Sequence, residues 1–196
     1  MNVEVLGAAN EVGRSGFLVK SNGANLLLDY GVMFARKRND PPSYPLHVKP
    51  KDVDATIITH AHLDHSGCVP ALFNGGNTKV YCTPPTLDLS MLLIEDMLKI
   101  EKAKLAFDYG HLNGMLRNSK EIAFKEPVKV GNAEFELRSS GHVLGGSTVL
   151  VEADNKRLFY TGDINPNGSR MLPKADLEIG DVDMVITEST YSQTDQ

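Results

Sequence analysis

Cysteine, tryptophan and long apolar runs are scarce in this sequence of 196 residues. It holds two cysteines and no tryptophan, which excludes the disulfide scaffolds that pack many cysteines into a short chain. The longest apolar runs are short stretches such as 26–28 and 91–94, far below the roughly 20 residues that span a bilayer. The first six residues carry no basic start and no long apolar stretch, so we expect no secretory signal, a cytoplasmic protein and reduced thiols at Cys68 and Cys82.

An excess of positive charge is also lacking. The chain has 20 lysines and arginines against 25 aspartates and glutamates, for a net charge of -5. This balance argues against a protein whose whole surface binds nucleic acid, so any such contact must be local. The hydrophobic share of 41% and the charged share of 23% are typical of globular proteins and disfavour disorder, collagen and coiled coil.

Strand patterns dominate both ends of the chain, and helical patterns occupy its middle. Short apolar runs between turn residues predict strands at 3–6, 17–20, 25–29, 55–59, 79–82, 134–138, 148–152, 157–161 and 184–187. Thr83 and Pro84 resemble a helix start, and the helix should reach about Leu105. Its expected core-facing stripe consists of Leu87, Met91, Leu92, Ile94, Leu98 and Leu105. A second, shorter helix is predicted within 108–120 and a surface loop at 36–50, so the order indicates an α/β layered domain with two sheets.

Three histidines and one aspartate fall within six residues at the end of the apolar strand 55–59: His60, His62, Asp64 and His65. Alternate side chains of an extended segment share a face, so His60 and His62 can point at one ion. The turn beyond can aim Asp64 and His65 at a neighbouring point. Nitrogen and oxygen donors suit zinc, although such sites also accept iron or manganese. The spacing therefore predicts a metal centre with two ions.

Two later positions offer further ligands, each after a strand of buried type. His142 lies in Ser-Gly-His-Val-Leu-Gly-Gly, where flanking glycines allow close approach of the backbone. Asp163 follows the strand 157–161 in Thr-Gly-Asp, and its two carboxylate oxygens could bridge two cations. Either residue alone would be weak evidence. Beside the histidine cluster, both extend the predicted metal centre.

With these residues in place, the sequence resembles the metallo-β-lactamase superfamily. The signature of that family is His-x-His-x-Asp-His followed by a later His and a later Asp, on a four-layer αββα sandwich, and the resemblance covers nearly the whole chain. It implies that one ion is held by His60, His62 and His142, the other by Asp64 and His65, and that Asp163 bridges them. Asp29, in Leu-Asp-Tyr-Gly, matches the early Asp of the family, which orients the histidine cluster from behind the ligands.

Finer motifs resemble the β-CASP nuclease branch, which includes the endonuclease subunit of the cleavage and polyadenylation machinery. They are 10–16 (Asn-Glu-Val-Gly-Arg-Ser-Gly), 65–67, 141–146 and 188–191 (Glu-Ser-Thr-Tyr). In that branch the Glu matching Glu188 supports a catalytic histidine that comes much later. No histidine follows Asp163 in this sequence, although the superfamily normally supplies one more ligand. We therefore expect residues 1–196 to be the N-terminal part of a metallo-β-lactamase domain, cut before the β-CASP domain.

The resemblance implies metal-dependent hydrolysis of RNA phosphodiesters, with two divalent ions, zinc first, as cofactors. Asp64, Asp163 and Glu188 are the implied catalytic residues. RNA contact needs local positive charge, for which Arg36-Lys37-Arg38 and Arg170 are candidates, although a solvated surface cation is the more ordinary interpretation of each. His47 and His111 are interpreted as ordinary surface or partly packed histidines.

Two other functions would use the same metal ligands. One is a small-molecule hydrolase of the same fold that cleaves a thioester or a lactam. The other is a non-catalytic metal-binding fragment that pairs with another chain. Because one ligand and the histidine partner of Glu188 are absent from this chain, we expect it to bind metal but to cleave RNA poorly or not at all. We also expect it to form a homodimer or to pair with a chain that supplies the missing part, and to have no membrane partner.

Overall fold

The computed structural model describes residues 1–34, 40–76, 78–101 and 104–190. The predicted basic segment 36–38 and Tyr191 lie outside these ranges. In chain order the strands are β1 (Asn2–Gly7), β2 (Gly16–Ser21), β3 (Ala24–Tyr30), β4 (Ala55–Ile57), β5 (Lys79–Cys82), β6 (Ser119–Glu121), β7 (Val128–Val130), β8 (Ala133–Ser139), β9 (Ser147–Ala153), β10 (Lys156–Tyr160) and β11 (Met184–Ile186). The helices are α1 (Leu63–Ser66), α2 (Pro84–Glu101) and α3 (Tyr109–Asn118), with short 3₁₀ turns at Pro50–Asp52 and Val69–Phe73.

The strands form two sheets of different polarity. The first runs in the order β1-β2-β3-β4-β5-β6, with antiparallel pairing from β1 to β3 and parallel pairing from β3 to β6. The second runs in the order β11-β10-β9-β8-β7, where β7 to β10 pair antiparallel and β10 pairs parallel with β11. The parallel half of the first sheet places the carboxyl ends of β3, β4 and β5 on one edge.

Two apolar cores hold three layers together. Along β3, Leu27 faces the helices while Leu26 and Leu28 face the second sheet, so this strand is buried on both sides. The helix-side core includes Ile94, Met97, Leu98, Leu112 and Met115. The core between the sheets includes Phe17, Ile57, Phe135, Leu137, Val151 and Leu158. The predicted α/β domain with two sheets is confirmed.

The outer face of the second sheet is partly covered by an irregular segment, 176–183, and no helix of the described residues lies there. The guanidinium of Arg138 donates to the backbone oxygen of Glu178 at 2.9 Å, and that of Arg157 donates to the backbone oxygen of Asp181. Backbone bonds from Asp176 to Ser139 and from Asp183 to Arg157, each 2.9 Å, fix its two ends. The described residues thus form the α, β and β layers of the expected four-layer sandwich.

The helices differ from expectation in extent and orientation. Helix α2 ends at Glu101 rather than near Leu105, and Thr83 acts as its N-cap by accepting a hydrogen bond from the Thr86 amide at 3.4 Å. Leu92, expected in the core, is 61% exposed. Five residues after Leu87, it lies about 140° around the helix from that side chain, which removes it from the buried stripe. No helix of the described residues is long and apolar enough to cross a membrane.

The two free thiols give a test of this packing. Cys68 and Cys82 are both buried in the helix-side core, and burial raises the pKa of each thiol to about 12. Because the thiolate is the reactive form, neither cysteine should react with a thiol reagent in the folded protein at neutral pH. Two equivalents should react after unfolding in denaturant. Rapid reaction of either thiol before unfolding would contradict the packing of this core.

Candidate metal centre

The carboxyl ends of five strands from both sheets meet at one edge of the molecule. Strands β8 and β10 both pair antiparallel with β9, and β11 pairs parallel with β10, so β8, β10 and β11 end on the same side. The backbone oxygen of Thr59, just after β4, accepts hydrogen bonds from the amide and the hydroxyl of Ser147 at 2.8 and 2.9 Å. This contact joins the end of β4 to the start of β9, beside the end of β8. Every candidate ligand follows one of these strand ends.

Glycine is required where α1 packs against the end of β3. A Cβ atom at Gly31 would overlap the backbone oxygen of Asp64, so only glycine allows the two segments to approach this closely. The amide of Val32 then donates to the oxygen of Leu63 at 2.8 Å. This approach sets the single helical turn that carries Asp64 and His65 against the sheet.

Three histidines and one aspartate form the tightest cluster. The ligand atoms of His60, His62, His142 and Asp163 all lie within 4.8 Å of one another. Nδ1 of His62 lies 3.0 Å from Nε2 of His60 and 3.4 Å from Nε2 of His142. Oδ2 of Asp163 lies 3.4 Å from the same nitrogen of His142 and 3.8 Å from that of His60. Four side-chain atoms that could bind a metal thus converge on one point.

His65 and Asp64 occupy the other side of Asp163. Nε2 of His65 lies 3.2 Å from Oδ1 of Asp163 and 3.8 Å from Oδ2 of Asp64. The two oxygens of Asp163 are therefore divided: one faces the three histidines and the other faces His65. A carboxylate shared in this way can lie between two cations.

A buried carboxylate stands behind the cluster. Asp29 has no exposed surface and accepts hydrogen bonds from the Thr59 amide at 2.7 Å and from three groups at 2.8 Å: the Thr59 hydroxyl, the Tyr160 hydroxyl and Nδ1 of His65. Because an ionised carboxylate only accepts, Nδ1 of His65 carries a hydrogen, and Nε2 is the nitrogen directed at Asp64 and Asp163. Asp29 therefore fixes the orientation of this ring.

Thr59 fixes the tautomer of His60 by the same logic. Its hydroxyl donates to Asp29 and lies 3.1 Å from Nδ1 of His60, so in a neutral His60 the Nδ1 group is the donor to the threonine oxygen. Nε2 of His60 is then an acceptor that points toward His62 and Asp163. A lone pair directed in this way at the carboxylate of Asp163 is available to a cation.

The pKa values of the site agree with its division into a side with His60, His62 and His142 and a side with His65. Burial and the neighbouring His65 lower the pKa of His60 well below its usual value, and burial also lowers the pKa of His142. Burial alone would lower the pKa of His65, but Asp29 and Asp163 together raise it, to about 10. Burial alone would raise the pKa of Asp163, but His65 holds it well below the usual range.

Protonation therefore differs across the cluster. His60 and His142 are neutral and offer lone pairs, as ligation requires. In the metal-free protein His65 keeps a proton on the nitrogen that faces Asp163. A divalent cation would neutralise the same carboxylates, so it would take the place of that proton.

The donor set fits a divalent metal. Zinc bonds to imidazole of about 2.0 to 2.1 Å in a tetrahedral arrangement put neighbouring ligand atoms ~3.3 Å apart, close to the 3.0 to 3.8 Å found among the contacts of His62 and Asp163. Nitrogen and oxygen donors of this kind also suit iron and manganese.

Glu188 lies beside the cluster rather than in it. Its carboxylate accepts hydrogen bonds from the Ile164 amide at 3.3 Å and the Thr190 amide at 3.2 Å, so it ties the end of β11 to the turn that carries Asp163. Its predicted support of a later histidine stays a prediction. Arg170 is exposed, His47 is exposed, and His111 completes the capping box of α3 with Asp108.

Three residues that support the candidate ligands were not predicted from the sequence. Thr59, Tyr160 and Ser15 are buried polar residues at the ends of apolar strands or in a turn. The only available signal was a polar side chain directly before His60 and another three residues before Asp163. Neither spacing distinguishes a supporting residue from an ordinary strand end, because the partner of both is Asp29 in a distant strand.

The fold and this site define a class of protein. The family described as the metallo-β-lactamase superfamily matches residues 9–195, and the chain belongs to it. Among solved structures, it shares 19% identity and a TM-score of 0.60 with a protein of unknown function from Enterococcus faecalis V583, over 84% of this chain and 43% of that one. A B3 metallo-β-lactamase with an active-site glutamic acid gives 18% identity and a TM-score of 0.54, over 87% and 63%. These likenesses concern the fold alone, and they confirm it.

Closer relatives in sequence are RNA-processing proteins. The chain is 34% identical to an RNase of Saccharolobus solfataricus, covering 97% of this chain and 39% of that protein. It is 33% identical to the cleavage and polyadenylation specificity factor subunit 3-I of Arabidopsis thaliana, over 96% and 28%. A ribonuclease of Thermus thermophilus is also 33% identical, over 97% and 44%. These relatives confirm the resemblance to the β-CASP branch, and the chain spans less than half the length of each.

The substitution Asp29→Asn tests the supporting network. It replaces one acceptor by a donor that faces the hydrogens of Thr59, Tyr160 and His65. We expect a loss of about 3 kcal/mol in the free energy of unfolding, because buried partners are left unpaired, and roughly 10-fold to 100-fold weaker metal binding at His65. Chemical denaturation and metal titration measure the two effects. Asp54→Asn, on an exposed aspartate that caps the Asn25 amide, is the control, and equal effects of both variants would contradict the role of Asp29.

Proposed function

We propose that this chain forms the metal-binding domain of a ribonuclease that hydrolyses RNA phosphodiesters. The single observation that carries the proposal is the carboxylate of Asp163, which directs one oxygen at His60 and His142 and the other at His65. A pair of neighbouring cation positions suits in-line displacement at phosphorus, where both the attacking and the leaving oxygen need stabilisation. The names of the relatives, an RNase, a ribonuclease and a cleavage factor, support RNA as the substrate.

Each residue of the site would have its own role. His60, His62 and His142 would hold one ion. Asp64 and His65 would hold the other ion, and Asp163 would contact both. When bound, the ions would supply Lewis acidity that activates water and neutralises charge on the scissile phosphate. Asp29 and Thr59 keep the rings of His65 and His60 in the orientations that direct Nε2 toward the metal positions. Glu188 holds the Asp163 turn in place, and its assistance to the leaving oxygen would need the histidine that the resemblance implies.

We propose zinc as the ion at the three histidines, because imidazole-rich tetrahedral sets suit it. RNA would contact this face through local cations. Among the described residues, Arg170 lies in the loop that follows Asp163, is exposed, and makes no ion pair, which supports it as a phosphate contact. Two buried free cysteines fit the reducing cytoplasm. Association with further polypeptide is supported by Val185 on the edge strand β11, which is 57% exposed.

The substitution His62→Ala tests the three-histidine site. We expect one equivalent of zinc to be lost from the dialysed protein, because Nδ1 of His62 is the atom closest to both other ring nitrogens. The loss of affinity should exceed the roughly 10- to 100-fold that follows from removing a supporting contact alone. Elemental analysis after dialysis gives the stoichiometry, and His47→Ala, on an exposed histidine away from the cluster, is the matched control. Unchanged zinc content in His62→Ala would exclude this ligand set.

The substitution Asp163→Asn tests the bridge. A neutral amide cannot neutralise two adjacent cations, so occupancy should fall at both positions but further at the one with Asp64 and His65, where fewer imidazoles remain. Stepwise metal titration separates the two equivalents. Equal losses at the two positions, or none, would show that Asp163 does not bridge them.

A small-molecule hydrolase would use the same ligands, and turnover decides between the two activities. Because this chain by itself is expected to cleave RNA poorly or not at all, RNA and thioester substrates should be offered to the zinc-loaded chain joined to a C-terminal part that supplies the implied ligand and histidine, with His62→Ala as the background. Zinc-dependent cleavage of RNA supports the proposal, whereas thioester turnover without RNA cleavage would reassign the chain.

A further inference from the structure

Ser15 places a hydroxyl against the metal-facing nitrogen of His65. Its Oγ lies 3.5 Å from Nε2 of His65, the atom that also lies 3.2 Å from Asp163 and 3.8 Å from Asp64. Three oxygens from three separate segments therefore surround this nitrogen. Two belong to carboxylates already assigned to the site, and the third is the neutral hydroxyl of Ser15.

The backbone of Ser15 is held on both sides by the segments that build the site. Its amide donates to the oxygen of Asp64 at 2.8 Å, and its own oxygen accepts from the Gly31 amide at 2.8 Å. The preceding residue, Arg14, has a φ of 43°, a left-handed conformation that a non-glycine residue adopts only when its surroundings enforce it. The turn is thus fixed with the side chain of Ser15 directed inward.

This hydroxyl is buried and nearly without partners. Ser15 is 5% exposed, and within the described part of the chain its Oγ has no hydrogen-bond partner other than Nε2 of His65. A cation on that nitrogen would remove this bond. Because a buried polar group without a partner costs free energy, the hydroxyl would then need the ion itself as its partner.

We propose that Oγ of Ser15 is a ligand of the ion held by Asp64, His65 and Asp163. The inference rests on the proposed metal centre and deepens it, because it makes the two positions chemically different. One has three nitrogens and one oxygen, and the other has one nitrogen and three oxygens. Oxygen-rich sets suit harder ions, whereas imidazole suits zinc. The position with Ser15 should therefore accept Mn²⁺ more readily than the three-histidine position does.

The substitution Ser15→Cys gives a signal that a purely structural role would not produce. A thiolate is a soft ligand, so Co²⁺ bound at this position should acquire a thiolate-to-cobalt absorption band in the near ultraviolet. The band should appear with the second equivalent of Co²⁺. It should be absent from the unaltered protein, whose two cysteines are buried in the core, and from the control Ser21→Cys at the end of β2.

The substitution Ser15→Ala measures the contribution of the hydroxyl. We expect Mn²⁺ binding to weaken by roughly 10-fold or more, at least as much as from the loss of a contact behind a ligand, with unchanged zinc at the three histidines. Electron paramagnetic resonance of free Mn²⁺ gives the affinity, and thermal unfolding of the metal-free variants checks the fold.

The outcomes separate this inference from the function on which it rests. The cobalt band together with weaker Mn²⁺ binding supports Ser15 as a ligand. Weaker Mn²⁺ binding without the band would make Ser15 only a hydrogen-bond partner of His65 and overturn the ligand role, as would unchanged Mn²⁺ binding. If the unaltered protein binds no second ion and Asp163→Asn changes nothing, the two-ion centre itself is wrong, and the inference falls with it.

Discussion

The carboxylate of Asp29 is the contact on which the arrangement of the candidate metal ligands depends. A buried charge is tolerated only when hydrogen bonds replace its water, and Asp29 meets this requirement with four donors from Thr59, Tyr160 and His65. Those donors come from the segment after β4, from β10 and from α1. Satisfying the charge therefore also brings the ligand-bearing segments together and sets the rings of His60 and His65. Asp29 has a φ of 57°, and this strained backbone is held in place by the same bonds.

Strand direction explains why ligands so distant along the chain come together. Parallel pairing of β3 with β4, and of β10 with β11, places their carboxyl ends on the same edge of each sheet. The bonds of Ser147 to Thr59 then bring the two edges into register. Loops at such an edge carry function while the sheets beneath stay rigid. The candidate ligands lie between the two sheets, where neither sheet alone could enclose an ion.

The charge distribution gives the two halves of the site different characters. Neutral imidazoles dominate around His60, and their lone pairs converge on a point that a cation would stabilise. Carboxylates dominate around His65, and in the metal-free protein its proton partly balances them. An ion bound at His65 would therefore displace a proton, whereas the neutral imidazoles of His60 and His142 are already in the state that ligation requires. Ser15 adds a neutral oxygen to the acidic half without adding charge.

The sequence by itself determined nine of the eleven strands of the described residues, the main helix and the histidine cluster, because these are local; β6 and β7, of three residues each, were not predicted. Apolar runs report burial, and His60, His62 and His65 are close together in the chain whatever the fold. The local pattern placed Leu92 wrongly in the core, because a small rotation around the helix axis decides whether a side chain faces the core or the solvent. Only the tertiary structure decided the surroundings of Asp29: Tyr160 is 131 positions away, and Ser15 reaches His65 through a turn. Such contacts arise from the pairing of strands and the packing of two sheets, which no spacing along the chain records.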